Sequence, residues 1–336
     1  MKTFLLKTAS TAALLTTVFV CAPAQASANS KSTSASETLP SYKTTSGVSG
    51  TLKSIGSDSM NNEMALWSEG FRKLYPGVKI EVEGKGSATA PTALIEGTAQ
   101  FGPMSRPMKN EEISAFKNKF GYEPTAIKTS LDVLAVYVHR DNPIKSLSLQ
   151  DVDAIFSKTR KGGAAKDIVT WGELGVTGEW ANKPIQLYGR NSASGTYGYF
   201  KDHALAKGDF KDSVKEQPGS AAVVQAVASD KFGIGYSGIG YKTDAVKAIP
   251  LSLKPGKEAV PATEETALSG EYPLGRYLLI YVNKTPNKEL DPARREFLLY
   301  VLSAQGQEAV EKNGYIALPV KVLKQERAKL GAVTGG

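Results

Sequence analysis

From Thr51 onward the chain alternates short apolar runs with stretches of helical period. Thr51 to Ile55 reads as a strand. Met60, Met64, Trp67, Phe71 and Leu74 then recur at spacings of three and four, which places them on one stripe of a helix that Tyr75-Pro76-Gly77 ends. Val78 to Val82 alternates as a second strand, and a second helix over about Thr89 to Glu96 precedes Gln100-Phe101-Gly102. This order predicts two strand–helix units of a parallel sheet, with the helix stripe in the core.

Leu131 to His139 (LDVLAVYVH) and Tyr277 to Asn283 (YLLIYVN) read as long strands without a matching amphipathic helix, and both are predicted crossovers. Between them come a helix over Leu149 to Phe156, a basic glycine-containing loop over Lys158 to Lys166, a strand over Ile185 to Tyr188, a helix after Ser194 and a strand over Phe232 to Tyr236. FGIGYSGIGY at 232–241 reads as a strand–turn–helix junction. Pro292 to Leu302 predicts a helix with proline in its first turn and Phe297, Leu298 and Val301 on its apolar side. With the crossovers as a hinge, 48–131 plus 278–336 form a discontinuous lobe one, and 132–277 form lobe two. The expected fold class is α/β.

The amino terminus sets the compartment. Lys2 and Lys7 precede a largely apolar run from Thr8 to Val20, and Ala24-Gln25-Ala26 follows as a small-x-small cleavage signal, so residues 1–26 read as a signal peptide. Export to the periplasm, or secretion, after cleavage near Ala26 is expected. Residues 27–47, rich in Ser, Thr and Ala without apolar period, read as a flexible leader. Cleavage removes Cys21, the one cysteine of the 336 residues, so the mature chain has no disulfide and no cysteine-based metal site. The net charge of +8 points to an anionic partner. Export argues against nucleic acid and for a small anion.

Three loops share one design. Gly56-Ser57-Asp58-Ser59, Gly84-Lys85-Gly86-Ser87-Ala88-Thr89 and Asn191-Ser192-Ala193-Ser194-Gly195-Thr196 each follow a strand and open a helix. A helix N-terminus carries unpaired N–H groups and partial positive charge, hydroxyls add donors without bulk, and glycine lets an anion approach the backbone. Three such loops can converge on one oxyanion, although Ser, Asp and Thr also cap helices with no ligand at all. Arg106, after Ser105, and Arg190, before the third loop, supply guanidinium forks suited to a tetrahedral oxyanion. Lys85 is a secondary contributor to the field.

Enzyme readings fare worse. GKGSAT lacks the G-K-[ST] ending of a phosphate-binding P-loop, and G-x-S-x-G fails at Ser192 and Ser194. The histidines number two, His139 ending an apolar strand and His203 on a helix, and both read as structural. Ser114-x-x-Lys117 lacks the partner motifs of a penicillin-binding site. No metal, no cofactor and no catalytic residue are expected.

The segments GSDSM, LYPGVKIEVEGKGSATA, FGPMSRPM, SLDVLAVYVHRDNPI, GRNSASGTYGYF, FGIGYSGIGY and YPLGRYLLIYVN, in this order over about Thr51 to Leu318, resemble PstS-type periplasmic phosphate-binding proteins, the receptor subunits of phosphate ABC transporters. The resemblance implies a two-lobed type II periplasmic-binding-protein fold hinged on the two crossover strands, and a monomer that hands inorganic phosphate to the membrane permease subunits. It assigns the grip on phosphate to Arg190, Ser194, Gly195 and Thr196, with Ser59 and Ser87 from the first two loops and Ser57 and Asp58 beside them. Where one branch of the family has an aspartate that accepts the phosphate proton, this chain has Ser105-Arg106. Ser105 and Arg106 are therefore carried over as ligands, and the acceptor is sought first at Asp58 and then at Asp132. Two other readings stay open on the same residues, a secreted phosphate-ester hydrolase and a surface adhesion or biofilm protein.

Overall fold

The computed structural model describes residues 41–331 together with Met1, so the signal peptide expected at 1–26 and most of the leader lie outside the described residues apart from Met1. The elements in order are β1 (Gly50–Gly56), α1 (Asn61–Leu74), β2 (Val78–Gly84), α2 (Thr89–Glu96), β3 (Gly102–Met104), α3 (Asn110–Phe120), β4 (Thr125–His139), β5 (Leu147–Ser148) and α4 (Leu149–Phe156). Then follow β6 (Gln186–Arg190), α5 (Gly195–His203), β7 (Lys215–Gln217), α6 (Ser220–Ser229), β8 (Gly233–Gly238), β9 (Val246–Ala248), β10 (Leu251–Ser252), α7 (Glu264–Ser269), β11 (Gly275–Val282), α8 (Pro292–Val301), α9 (Ala304–Lys312) and α10 (Val320–Ala328).

β1 and β2 pair in parallel, as the strand–helix order requires, and Ser54 bridges to Phe101 just ahead of β3. The large sheet runs β3-β11-β4-β8-β6-β7, with β9 also on β4. Its centre is the antiparallel pair of β4 and β11, which runs from Val282↔Thr125 to Gly275↔Val133 with a register shift between Leu278 and Leu279. This pairing extends β4 back to Thr125, six residues before the strand expected at Leu131. The flanking residues are half polar, and only their partner strand makes them β.

Two hydrophobic cores flank that pair. Met60, Met64, Trp67 and Phe71 pack with Leu278, Ile280, Phe297, Leu298 and Val301 in one, while Val133, Val136, Phe156, Trp171, Phe200 and Tyr236 build the other. β4 contributes Ile127 to the first and Val133, Leu134, Val136 and Val138 to the second, so one continuous strand joins both cores. Each fully buried large side chain of the α1 stripe contributes roughly 1.5–3 kcal/mol through removal from water. Leu74 leaves the stripe: it is exposed, and Tyr75 just beyond the helix end is buried instead. The junction after β8 tightens into a single 3-10 turn over Ile239–Tyr241.

The carboxyl end of the expected leader is held in place. Tyr42 donates its hydroxyl to Glu296 at 2.6 Å, its N–H to Gln305 at 2.8 Å, and its ring meets Tyr300 edge-on at 5.7 Å between centroids. Local composition predicts freedom here because polar residues surround Tyr42. The contacts that tie it down are all non-local: Phe71 and Tyr75 at the end of α1, and Glu296, Tyr300 and Gln305 more than 250 positions away.

Candidate functional site

The loops after β1 and β2, the turn after β3 and the start of α5 meet. Ser57 ends the first loop's extended stretch, and its hydroxyl donates to Ser105 at 3.0 Å. Ser87 accepts the Ser105 N–H at 3.0 Å, and the two hydroxyls lie 3.3 Å apart. Ser59 and Thr196 hydroxyls pair at 2.8 Å, and Thr196 lies 3.5 Å from the Ser105 hydroxyl. All five hydroxyl residues are at most 2% exposed. Neither Ser57 nor Ser87 spends its hydroxyl on a helix N-terminus, whereas Ser194 does, accepting the Tyr197 N–H at 3.3 Å. A serine that caps as acceptor keeps its own O–H to donate.

Gly195 sits inside this cluster. A Cβ there would lie 2.2 Å from the Ser87 hydroxyl and 2.6 Å from that of Ser105. Gly86 is excluded from substitution for a second reason, a φ of +109° with Ala193 O only 2.4 Å from any Cβ. Gly195→Ala is therefore expected to splay the serines and lower oxyanion affinity roughly tenfold or more, in line with the 1–3 kcal/mol of overpacking. Titration calorimetry on the folded variant checks it.

Each guanidinium at the cluster has its own carboxylate. Arg190, 3% exposed, donates from Nη1 to Asp58 Oδ1 and to the Ser220 hydroxyl, both at 2.9 Å, and its N–H is taken by the Tyr236 hydroxyl at 3.2 Å. Its Nε–H is buried and has no partner among the described residues. Asp58 Oδ1 also accepts the Ser220 N–H at 2.7 Å and its hydroxyl at 2.9 Å. Arg106 points its fork at Glu112, with two bonds of 2.7 Å, and donates to Pro107 O at 2.9 Å, which leaves Nε–H and one Nη2 hydrogen for a further acceptor. Lys85 is exposed and paired with Glu83 at 2.6 Å, away from the cluster's own bonds. The remaining expected residues, Ser194 and Gly195, are buried beside Thr196 at the opening turn of α5.

Three residues of the site escape sequence reasoning. Arg276, on β11, pairs with Asp132 directly across the sheet at 2.7 and 2.9 Å, donates to Ser105 O at 2.9 Å and to the Thr196 hydroxyl at 3.0 Å. A charge inside an otherwise apolar strand is the signal that could have found it. Ser220 opens α6 after Pro218-Gly219, a fourth glycine–serine helix opening of the kind already singled out. Glu63, in the first turn of α1, is fully buried. His139 and His203 take structural places: His139 Nδ1 accepts the Asp141 N–H, and the His203 ring stacks on Tyr199 at 3.9 Å.

The arrangement gathers hydroxyl donors and the unpaired guanidinium N–H groups of Arg190 and Arg106 in a buried place with balanced local charge, which suits a small oxyanion. Among the described residues no group of three or more His, Cys, Asp or Glu is placed to hold a metal ion, and no helix is long and apolar enough to cross a membrane.

A family model described as a PBP superfamily domain matches residues 41–305. The phosphate-binding protein PstS of Pseudomonas aeruginosa PAO1 is 57% identical over 87% of this chain and 91% of its own length. PstS of Staphylococcus aureus MRSA252 is 30% identical over 85% of this chain and 84% of its own. Among solved structures, a phosphate ABC transporter substrate-binding protein from Clostridium perfringens, with bound phosphate, superposes with a TM-score of 0.68 at 27% identity, covering 80% of this chain and all of that one. The fold is thus that of the two-lobed periplasmic binding proteins, and the chain belongs to the PstS phosphate-binding proteins of the PBP superfamily.

Proposed function

We propose that this protein captures inorganic phosphate reversibly between its two lobes, outside the cytoplasm, and delivers it to the permease subunits of an ABC importer. The observation that carries the reading is the convergence of the Ser57, Ser59, Ser87, Ser105 and Thr196 hydroxyls beside a buried, unpartnered Arg190 Nε–H. A buried donor left unpaired costs about 1–3 kcal/mol, and an oxyanion removes that cost. Arg190, Ser194, Gly195 and Thr196 form the grip from lobe two. Ser57, Ser59, Ser87, Ser105 and Arg106 close from lobe one. Lobe one comprises 48–131 with 278–336 and lobe two 132–277, β4 and β11 being the hinge. Family relatives that bind phosphate at 57% identity support the ligand class.

Hydrogen phosphate differs from sulfate in carrying a proton, and a carboxylate accepts that hydrogen bond while repelling the fully ionised anion. Both Asp132 oxygens are already engaged, Oδ1 accepting the Ile239 N–H and Oδ2 both Arg276 bonds. Asp58 Oδ2 makes no hydrogen bond among the described residues, which favours Asp58 as acceptor. Calorimetry of the ligand-stripped protein with phosphate, sulfate, arsenate and molybdate tests the reading. Phosphate and arsenate are expected to bind tightest, and Asp58→Asn is expected to narrow the phosphate-over-sulfate ratio by about tenfold or more. Equal affinity for sulfate in the unaltered protein would reject phosphate selectivity.

A further inference from the structure

Glu63 lies four residues after Ser59, in the first turn of α1, and is completely buried. Neither of its carboxyl oxygens closes a hydrogen bond among the described residues, nor does the buried Ser130 hydroxyl beside it. The groups within its electrostatic reach are Asp132 on β4, Tyr241 in the 3-10 turn and Tyr315 ahead of α10, with Arg276 of β11 bonded to Asp132. No cation is paired with Glu63 among the described residues, while Asp132 has the Arg276 fork and Tyr315 donates its hydroxyl to Ser59 O at 2.9 Å. A charge in such a place has nothing to balance it, so the group is stable there as the neutral acid.

We propose that Glu63 is a positioning residue of the oxyanion site, whose proton keeps Arg276 committed to Asp132, Ser105 and Thr196 and so keeps the hydroxyl cluster assembled. The proposal rests on the oxyanion reading of that cluster. When Glu63 ionises, a second carboxylate appears next to Asp132, competes for the Arg276 fork and adds repulsion towards a bound dianion. Burial chiefly raises the Glu63 carboxyl to about 8 from its ordinary 4.5, with the neighbouring Ser130 hydroxyl opposing the rise and Asp132 adding to it. With a raised folded value, the acid form's contribution is complete below about 4.5 and is lost as pH rises through about 8. A dianion bound nearby raises the value again, so phosphate binding takes up a proton in this window. Phosphate itself completes its second ionisation at the neutral end of this range, which raises the dianion fraction as pH rises and so adds no fall of its own.

The test is phosphate affinity of the full mature protein at pH about 7.5 and about 9.5, by calorimetry, for the unaltered chain, Glu63→Gln and Glu63→Met. Comparing the two pH values within each protein cancels any change in absolute affinity. The unaltered chain is expected to lose at least about fivefold in affinity across that interval, and the two variants less than about twofold. Repeating the titrations in buffers of different ionisation enthalpy is expected to show greater net proton uptake in the unaltered chain than in either variant, phosphate's own ionisation being common to all three. An equal pH profile in all three proteins, or in whichever variant folds, overturns the role of Glu63 while leaving the oxyanion reading intact. Absence of phosphate binding at every pH overturns both.

Discussion

Replacing Arg190 by alanine is expected to lower phosphate affinity by about 30-fold to a few thousand-fold, because truncating one member of a buried, charge-assisted contact costs about 2–5 kcal/mol. The variant loses three things at once. The Nε–H that has no protein partner disappears, the donor that Asp58 Oδ1 receives at 2.9 Å disappears, and so does the bond to the Ser220 hydroxyl. Asp58 then presents an uncompensated negative charge to the incoming anion. Lysine in this position supplies charge without the planar fork and cannot serve Asp58, Ser220 and the ligand together, so Arg190→Lys is expected to recover only part of the loss. Calorimetry on ligand-stripped protein reads both. Affinity within about threefold of the unaltered chain in Arg190→Ala would remove Arg190 from the grip.

Arg276→Met is expected to cost about 3–5 kcal/mol of folding stability, since it strands Asp132, which is wholly buried, without its cation. Methionine fills much of the volume and isolates the charge effect from a cavity. Pairing it with Asp132→Asn removes the stranded charge and keeps an acceptor for the Ile239 N–H, so the double variant is expected to be more stable than Arg276→Met alone. Phosphate affinity is not expected to return with stability, because the donors to Ser105 O and the Thr196 hydroxyl are still missing. Denaturant unfolding and calorimetry on the same three proteins separate the two effects. If affinity recovers together with stability in the double variant, Arg276 supports the fold and not the site.

On the proposed reading, the carboxylate partners keep a cluster with three arginines from acting as a general anion trap. Arg190, Arg276 and Arg106 face Asp58, Asp132 and Glu112, so each guanidinium is oriented and half-neutralised by its partner before any ligand arrives. Discrimination then rests on directed donors and acceptors, which read the ligand's protonation, more than on net charge.

Local pattern determined a good deal. The α1 stripe, the parallel β1–β2 unit, α2, α4, the Pro292 helix and the three anion-ready loops are all written in short-range periodicity and in glycine–serine openings, because helix and strand periods and N-terminal donors depend on neighbours within a few residues. The expectation of a small oxyanion came from those loops and their two arginines, and phosphate itself from the family resemblance. What pairs with what was decided only by the tertiary structure. Arg190 meets Asp58 across 132 positions, and Arg276 meets Asp132 across 144. Nothing in either segment marks its partner, because side-chain pairing depends on the register of β4 against β11 and on how the loops fold over one another. The same holds for Tyr42, anchored in part from far along the chain, and for Ser57 and Ser87, whose hydroxyls both turn to Ser105. Glu63 is the sharpest case: a carboxylate at that place in a helix reads as solvated and favourable to the helix dipole, and only the packing of β4 and the 315 region over it removes water and makes it an acid that holds its proton.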